Sequence, residues 1–140
     1  MQVPASVLVK PLRRQLNRRR CERTQKILAT LMIDPNFIWA VGIFEGEGYM
    51  GKRSVGNSAR MFVSMCDKDI VERFQAAVGC GSISLFRPPA YKDHWQDQWR
   101  WYLGKKKEVI NLIERMLPYL GERRAYNALN ILDDLELGLY

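Results

Sequence analysis

Two glutamates, Glu45 and Glu47, close the apolar run WAVGIFEGEGYM (residues 39–50), and each is followed by a glycine. Two carboxylates at the end of a buried helix repel each other and resist desolvation unless a cation or a proton compensates them. A divalent metal is the natural compensation, because Mg²⁺ accepts one or two carboxylates and completes its shell with water and phosphate oxygens. Gly46 and Gly48 let the backbone turn sharply there and let another chain approach. Gly42 and Gly46, four apart on one helical face, leave room for a neighbouring helix at short distance. From these residues alone, a capped helix terminus carrying surface acids is the alternative.

The elements around this stretch follow from pattern. Pro11 and the run after it predict a basic helix with Leu12, Leu16, Ile27 and Leu31 near one stripe. Asp34 and Pro35 supply an N-cap and first-turn proline for the next helix, expected from Pro35 to about Glu45 and apolar on nearly every side. Beyond Gly48 the period changes to that of strands. YMGKRSV and RMFVSM, separated by a GNS turn, read as a hairpin. DKDIVERFQAAV reads as a helix with acids in its first turn and Gly79 after its last. GSISLFR and QWRWYLG form a second hairpin across the loop PPAYKDHWQD, and KKKEVINLIERMLPYL and GERRAYNALNILDDLELGL are two further helices. The order from Pro35 is αββαββαα. It implies an α+β domain whose four-stranded antiparallel sheet is backed by helices on one face and open on the other.

Function is expected on the open face. Trp99, Trp101 and Leu103 alternate with Gln98, Arg100 and Tyr102, so one side of that strand can pack while the other offers donors. Arg53, Arg60, Ser84 and Arg100 could line a groove on a DNA duplex, arginines on base edges and lysines on phosphates. A plain solvated sheet face is the bland counterpart.

Charge is concentrated at the start. Before Asp34, eight Lys/Arg face the single acid Glu22, which leaves +7; the remaining 14 basic and 14 acidic residues cancel. Residues 1–33 therefore read as a basic, helical arm suited to a polyanion, or else a solvated leader, and residues 34–140 as the domain proper. Three widely spaced cysteines (Cys21, Cys66, Cys80) indicate reduced thiols rather than a disulfide framework or a C-x-x-C metal site. No apolar run reaches the ~20 residues of a membrane span, and no membrane partner is expected. The Arg-rich start can mimic an organellar transit peptide, so an organellar matrix stands beside the cytoplasm of a bacterial, phage or archaeal host.

His94 is the only histidine, which excludes histidine-rich nuclease motifs and H-E-x-x-H. It shares the long hairpin loop with Lys92 and Trp95, where a plain surface position is the first expectation and a phosphate contact the second; Lys92 is a candidate DNA contact. Trp39, Trp95, Trp99 and Trp101 are expected in the core, beneath the helices. Lys105–Lys107 open a helix, where cations oppose the dipole.

AVGIFEGEG at Ala40–Gly48 resembles the LAGLIDADG motif of homing endonucleases, and the resemblance extends from about Asp34 to Asn130 through the hairpin and helix order and PYLGERRAYNAL. It implies a saddle of strands on DNA, with motif helices packed across a twofold axis through Gly42 and Gly46. Glu47 would be the metal ligand, the Gly46 carbonyl its helper, and Glu45 a shaper of the helix end. Tyr49 would start the strand that leaves for the DNA. The metals, Mg²⁺ with Mn²⁺ as a substitute, would hold the scissile phosphates, activate water and stabilise the leaving oxygen. With one motif copy, the resemblance implies a homodimer on a roughly palindromic target.

The sequence departs from that pattern at two places. Relatives carry a polar residue, often glutamine, at the end of the second strand, where this chain has Met65 between Ser64 and Cys66. Methionine cannot orient water by a strong hydrogen bond. The family's basic residue near the start of the last helix is matched by Arg123 or Arg124; arginine can stabilise phosphate charge but not readily donate a proton. The competing expectation is a DNA-binding regulator, or an intron-RNA-binding maturase, that keeps the saddle and has lost cleavage.

Overall fold

A computed structural model describes residues 15, 17–23, 34–92 and 94–137. The expected start of the arm helix at Pro11, and its stripe residues Leu12, Leu16, Ile27 and Leu31, lie outside them. Helix α1 spans Pro35–Glu47, with the Asp34 carboxylate accepting from the Asn36 amide at 2.9 Å and proline in the first turn. It continues two residues past the expected end at Glu45, so both motif acids lie inside its last turn. Strands β1 (Gly48–Lys52) and β2 (Ala59–Met65) form the first hairpin. Helix α2 (Lys68–Val78) ends at Gly79, whose φ of 76° is the left-handed conformation that glycine adopts without strain. Strands β3 (Ser82–Phe86) and β4 (Gln98–Leu103) form the second hairpin around a short 3₁₀ turn, Ala90–Lys92. Helix α3 (Lys106–Met116) passes into the 3₁₀ turn Leu117–Tyr119 at Pro118, and α4 spans Glu122–Leu137.

The sheet is antiparallel throughout, in the order β1-β2-β4-β3. Its registers sort side chains into two faces by simple alternation. Met50, Met61 and Leu103 form one row, Val63, Trp101 and Ile83 a second, and Met65, Trp99 and Leu85 a third. These rows meet the helices. Trp101 is fully buried, stands edge-on to Phe74 at 4.8 Å, and donates its indole N–H to the Cys80 carbonyl at 2.7 Å. Phe44, Leu112, Ile113, Leu132 and Leu135 complete the core, and no charged or polar residue is buried in it among the described residues. Truncating an aromatic at such a site costs about 3–5 kcal/mol. Trp95 departs from the expectation for tryptophans: it is 53% exposed, because its loop leaves the sheet before the helices can cover it.

Helix α4 is stitched back to the first hairpin. Asn127 donates to the Met50 carbonyl at 3.3 Å, Asn57 donates to that of Leu135 at 3.2 Å, and Lys52 pairs with Asp134. Residues 17–23 are helical and dock on the helical layer, on the covered side of the sheet. Arg19 pairs with Asp133 and Glu136, Arg23 bridges Glu114 at 3.2 Å and Glu136 at 2.9 Å, and Arg20 donates to the Leu120 carbonyl. Part of the basic run thus serves this chain's own acids.

Candidate nucleic-acid interface and metal-binding end of α1

The second face of the sheet is left open by the described residues. Tyr49, Phe62, Tyr102 and Ser82 form one row across it, Ser64, Arg100 and Ser84 the next, and Gly51 with Arg60 and Gln98 with Phe86 lie at its ends. Tyr49 (40% exposed) stacks on Phe62 with centroids 4.7 Å apart, and Phe86 is 44% exposed. The Arg60 guanidinium lies 5.8 Å from the Tyr49 ring and 5.9 Å from that of Phe62. Arg100 sits between Phe62 at 4.8 Å and Phe86 at 4.7 Å, while its Nε donates to the Ser64 hydroxyl at 2.8 Å. Tyr49, Arg60, Ser84 and Arg100, singled out from the sequence, therefore share one face. Arg53 lies just past β1, exposed, and lines a groove of about 600 Å³ with Ser82, Tyr102 and Lys105. Lys92 is in the 3₁₀ turn of the β3–β4 loop, with its ammonium 4.0 Å from the Trp95 ring centre.

The end of α1 adjoins the start of α4. Arg124 donates through Nη2 to the Gly48 carbonyl at 2.8 Å and through Nε to the Glu45 carbonyl at 3.2 Å. Its guanidinium also lies 3.9 Å from the Glu45 carboxylate and 5.3 Å from the Phe44 ring centre. Burial lowers the Arg124 pKa below its ordinary value; Glu45 acts in the opposite direction and Arg123 in the same one. The two arginines left open by the sequence are thus separated by their surroundings. Arg124 clamps the helix end, whereas Arg123 is exposed and engages no ion pair among the described residues. Glu45 accepts from the Gly121 amide at 3.5 Å as well.

Glu47 and Gly46 are exposed in the same last turn, and Glu47 has no ion-pair partner among the described residues. A carboxylate beside the negative end of a helix dipole offers hard oxygen donors, the type that suits Mg²⁺ or Mn²⁺. The set is partial, since no group of three or more His, Cys, Asp or Glu forms among the described residues.

The glycines act differently from the sequence expectation of a sharp turn. Gly48 is extended (φ −84°), a conformation open to any residue, but a Cβ there would clash with the Phe44 ring. Gly42 and Gly46 are exposed, and a Cβ on either meets nothing within 4 Å. With exposed Ile38 they leave a stripe along α1 that the described residues do not cover; half-buried Trp39 and Ile43 border it, and the Arg73 guanidinium lies 3.8 Å from the Trp39 ring centre. Met65 is turned to the helix side, paired in register with Trp99 and packed against the core. Sequence reasoning missed the Arg100–Ser64 pairing, although period-two alternation and the hairpin register would have indicated it once β2 and β4 were known neighbours.

No family profile and no curated protein matches this sequence. Solved structures do. The homing endonuclease I-CvuI in complex with its target, in the presence of Ca, superposes with a TM-score of 0.54 at 17% identity, over 71% of this chain and 65% of that one. I-CvuI with the I-CreI target in the presence of Mg, its DNA not cleaved, gives 0.52 at 16% identity over the same shares. The homing endonuclease I-TnaI gives 0.52 at 18% identity, over 75% of this chain and 74% of that one. The chain spans just under two thirds of the length of I-CvuI. With its αββαββα order, its single four-stranded antiparallel sheet and the EGEG end of its first domain helix, this chain has the fold of the LAGLIDADG homing endonucleases.

Proposed function

We propose that the protein is a homodimeric, Mg²⁺-dependent DNA endonuclease of the homing type, which makes a double-strand break in a roughly palindromic target. The observation that carries this reading is on α1: the stripe Ile38, Gly42 and Gly46, left open by the described residues, ends at exposed Glu47, which has no ion-pair partner among them. Packing that stripe against its twin would bring two Glu47 carboxylates together beside two open sheet faces. Glu47 and the Gly46 carbonyl would hold the cation, and Mn²⁺ would substitute for Mg²⁺. When bound, the metal supplies charge stabilisation at the phosphate and a more acidic water. Arg123, exposed at the start of α4 and without an ion pair among the described residues, would stabilise the phosphate's developing charge. Tyr49, Arg53, Arg60, Ser84 and Arg100, with Lys92 from the loop, would contact the duplex.

The test starts from a duplex selected for binding in Ca²⁺. Addition of Mg²⁺ should cut both strands, and Glu47→Gln should abolish cutting while binding survives. A second reading, a saddle kept for DNA recognition or for intron RNA without cleavage, is favoured by Met65, which is apolar and turned to the core. Wild-type protein that binds the selected duplex tightly and never cuts it would establish that reading. Tighter binding to a folded intron than to any duplex would point to RNA.

A further inference from the structure

The open face carries two arginines that the fold treats differently, Arg60 at one end and Arg100 in the middle. Arg60 is exposed, rests loosely near two rings, and accepts no fixed orientation from a hydrogen bond. Arg100 is half-buried on the inner strand β4, and three neighbours on its own face, Ser64, Phe62 and Phe86, contact it. Ser64 and Ser84 stand directly opposite it on the two adjacent strands. Phe62 and Phe86 stand on opposite diagonals, because they pair with Tyr102 and Gln98, two residues to either side of Arg100. The rings hold the guanidinium on both sides at 4.8 and 4.7 Å, and Ser64 takes the Nε proton at 2.8 Å. The two small serines leave the guanidinium standing clear along its row.

A guanidinium has five donors in a planar fork. With Nε committed to Ser64 and the flanks packed, Nη1 and Nη2 form an end-on pair whose plane is set before any ligand arrives. A fixed, planar, two-donor fork matches the O6 and N7 acceptors of guanine on the major-groove edge, and ordering an arginine in advance removes part of the entropy cost of binding. A phosphate contact needs no such fixing, and the exposed Arg60 would suit one. Tyr49, Phe62 and Phe86 are stacked on one another or lie beside guanidiniums, so they support the arginines rather than receive unpaired bases.

We infer that Arg100 reads one guanine in each half-site of a DNA target through Nη1 and Nη2, with Ser64 as its positioning residue and Arg60 as a phosphate contact. This rests on the DNA-binding reading above and adds the base to it. The experiment selects binders from a randomised DNA duplex library in Ca²⁺, using the full chain. The selected sites should contain one guanine per half-site whose replacement by 7-deazaguanine, which lacks N7, weakens binding roughly ten- to hundredfold. Arg100→Gln should lose the preference at that position alone, Arg100→Lys should weaken it, and Ser64→Ala should keep guanine with a smaller margin over the other bases. Arg60→Gln should weaken binding to all sequences alike and lower the salt slope by about one. If Arg100→Gln behaves as Arg60→Gln does, or the 7-deazaguanine duplex binds as tightly as the guanine one at every selected position, the inference is overturned while DNA binding stands. If wild-type protein enriches no duplex, the DNA-binding reading fails and takes this inference with it.

Discussion

Arg124 and Glu45, 79 residues apart in the chain, meet where helix α1 ends: the arginine bonds the glutamate's backbone carbonyl at 3.2 Å and faces its carboxylate at 3.9 Å. This pair divides the work of the EGEG segment. Glu45 belongs to the scaffold, held by Arg124 and by the Gly121 amide, whereas Glu47, two residues on, is exposed and has no ion-pair partner among the described residues.

The division separates two adjacent arginines by experiment. Arg124→Ala removes hydrogen bonds from a nearly buried cation and should lower folding stability by about 1.5–3 kcal/mol, read by urea denaturation. Arg123→Ala should leave stability unchanged and, if the protein cleaves DNA, slow cleavage by roughly a hundredfold. The reverse pattern would show that the clamp has been assigned to the wrong residue.

Two motif glycines should likewise respond oppositely to a side chain. Gly48→Ala puts a Cβ into the Phe44 ring and should destabilise by about 1–3 kcal/mol. Gly42→Leu meets open space and improves helix propensity by somewhat under 1 kcal/mol, so the monomer should melt no lower than wild type. In sedimentation, however, Gly42→Leu should be monomeric at concentrations where wild type is dimeric. A monomeric wild type, or a dimeric Gly42→Leu, counts against the stripe as a dimer surface.

Cys80 should be the slow thiol. Burial raises its pKa, Glu108 adds to the rise and Arg115 opposes it, so less thiolate is present at neutral pH and alkylation should accelerate only at higher pH than for an ordinary cysteine. Cys21 and Cys66 are exposed. Mass spectrometry after brief iodoacetamide treatment at neutral pH should find those two modified first. Labelling of Cys80 at an equal rate would mean that its strand end opens readily.

The docked part of the arm can be released. Asp133→Asn combined with Glu136→Gln removes partners of Arg19 and Arg23 in a partly buried network worth about 1 kcal/mol, which predicts roughly fivefold faster amide exchange across residues 17–23. The same exchange should quicken in high salt with the wild-type chain. Unaltered exchange in both conditions would show that apolar contacts, not ion pairs, hold the segment. Freed arginines should also steepen the salt dependence of any DNA affinity, because they then reach phosphates.

Much of the fold could be read locally because its signals are local. Period two in QWRWYL put Trp101 and Leu103 on one face and Arg100 and Tyr102 on the other, period 3.6 and Gly79 bounded α2, and Asp34–Pro35 opened α1. The apolar run of α1 indicated a helix that is buried or lies at an interface; the fold buries Phe37, Ala40, Val41 and Phe44 and leaves Ile38, Gly42 and Gly46 exposed. Only packing across long separations decided the rest. Local pattern cannot say that β4 lies beside β2, so it could not bring Ser64 to Arg100 across 36 residues or show Met65 turned under the helices. Nor could it choose Arg124 over Arg123, because adjacent residues on a helix point about 100° apart and which one meets α1 depends on how α4 is rolled. The basic arm shows the same limit: its charge was plain in the sequence, but Arg23 meets Glu136 at a separation of 113 residues, and only the folded chain decides that its first anion is its own.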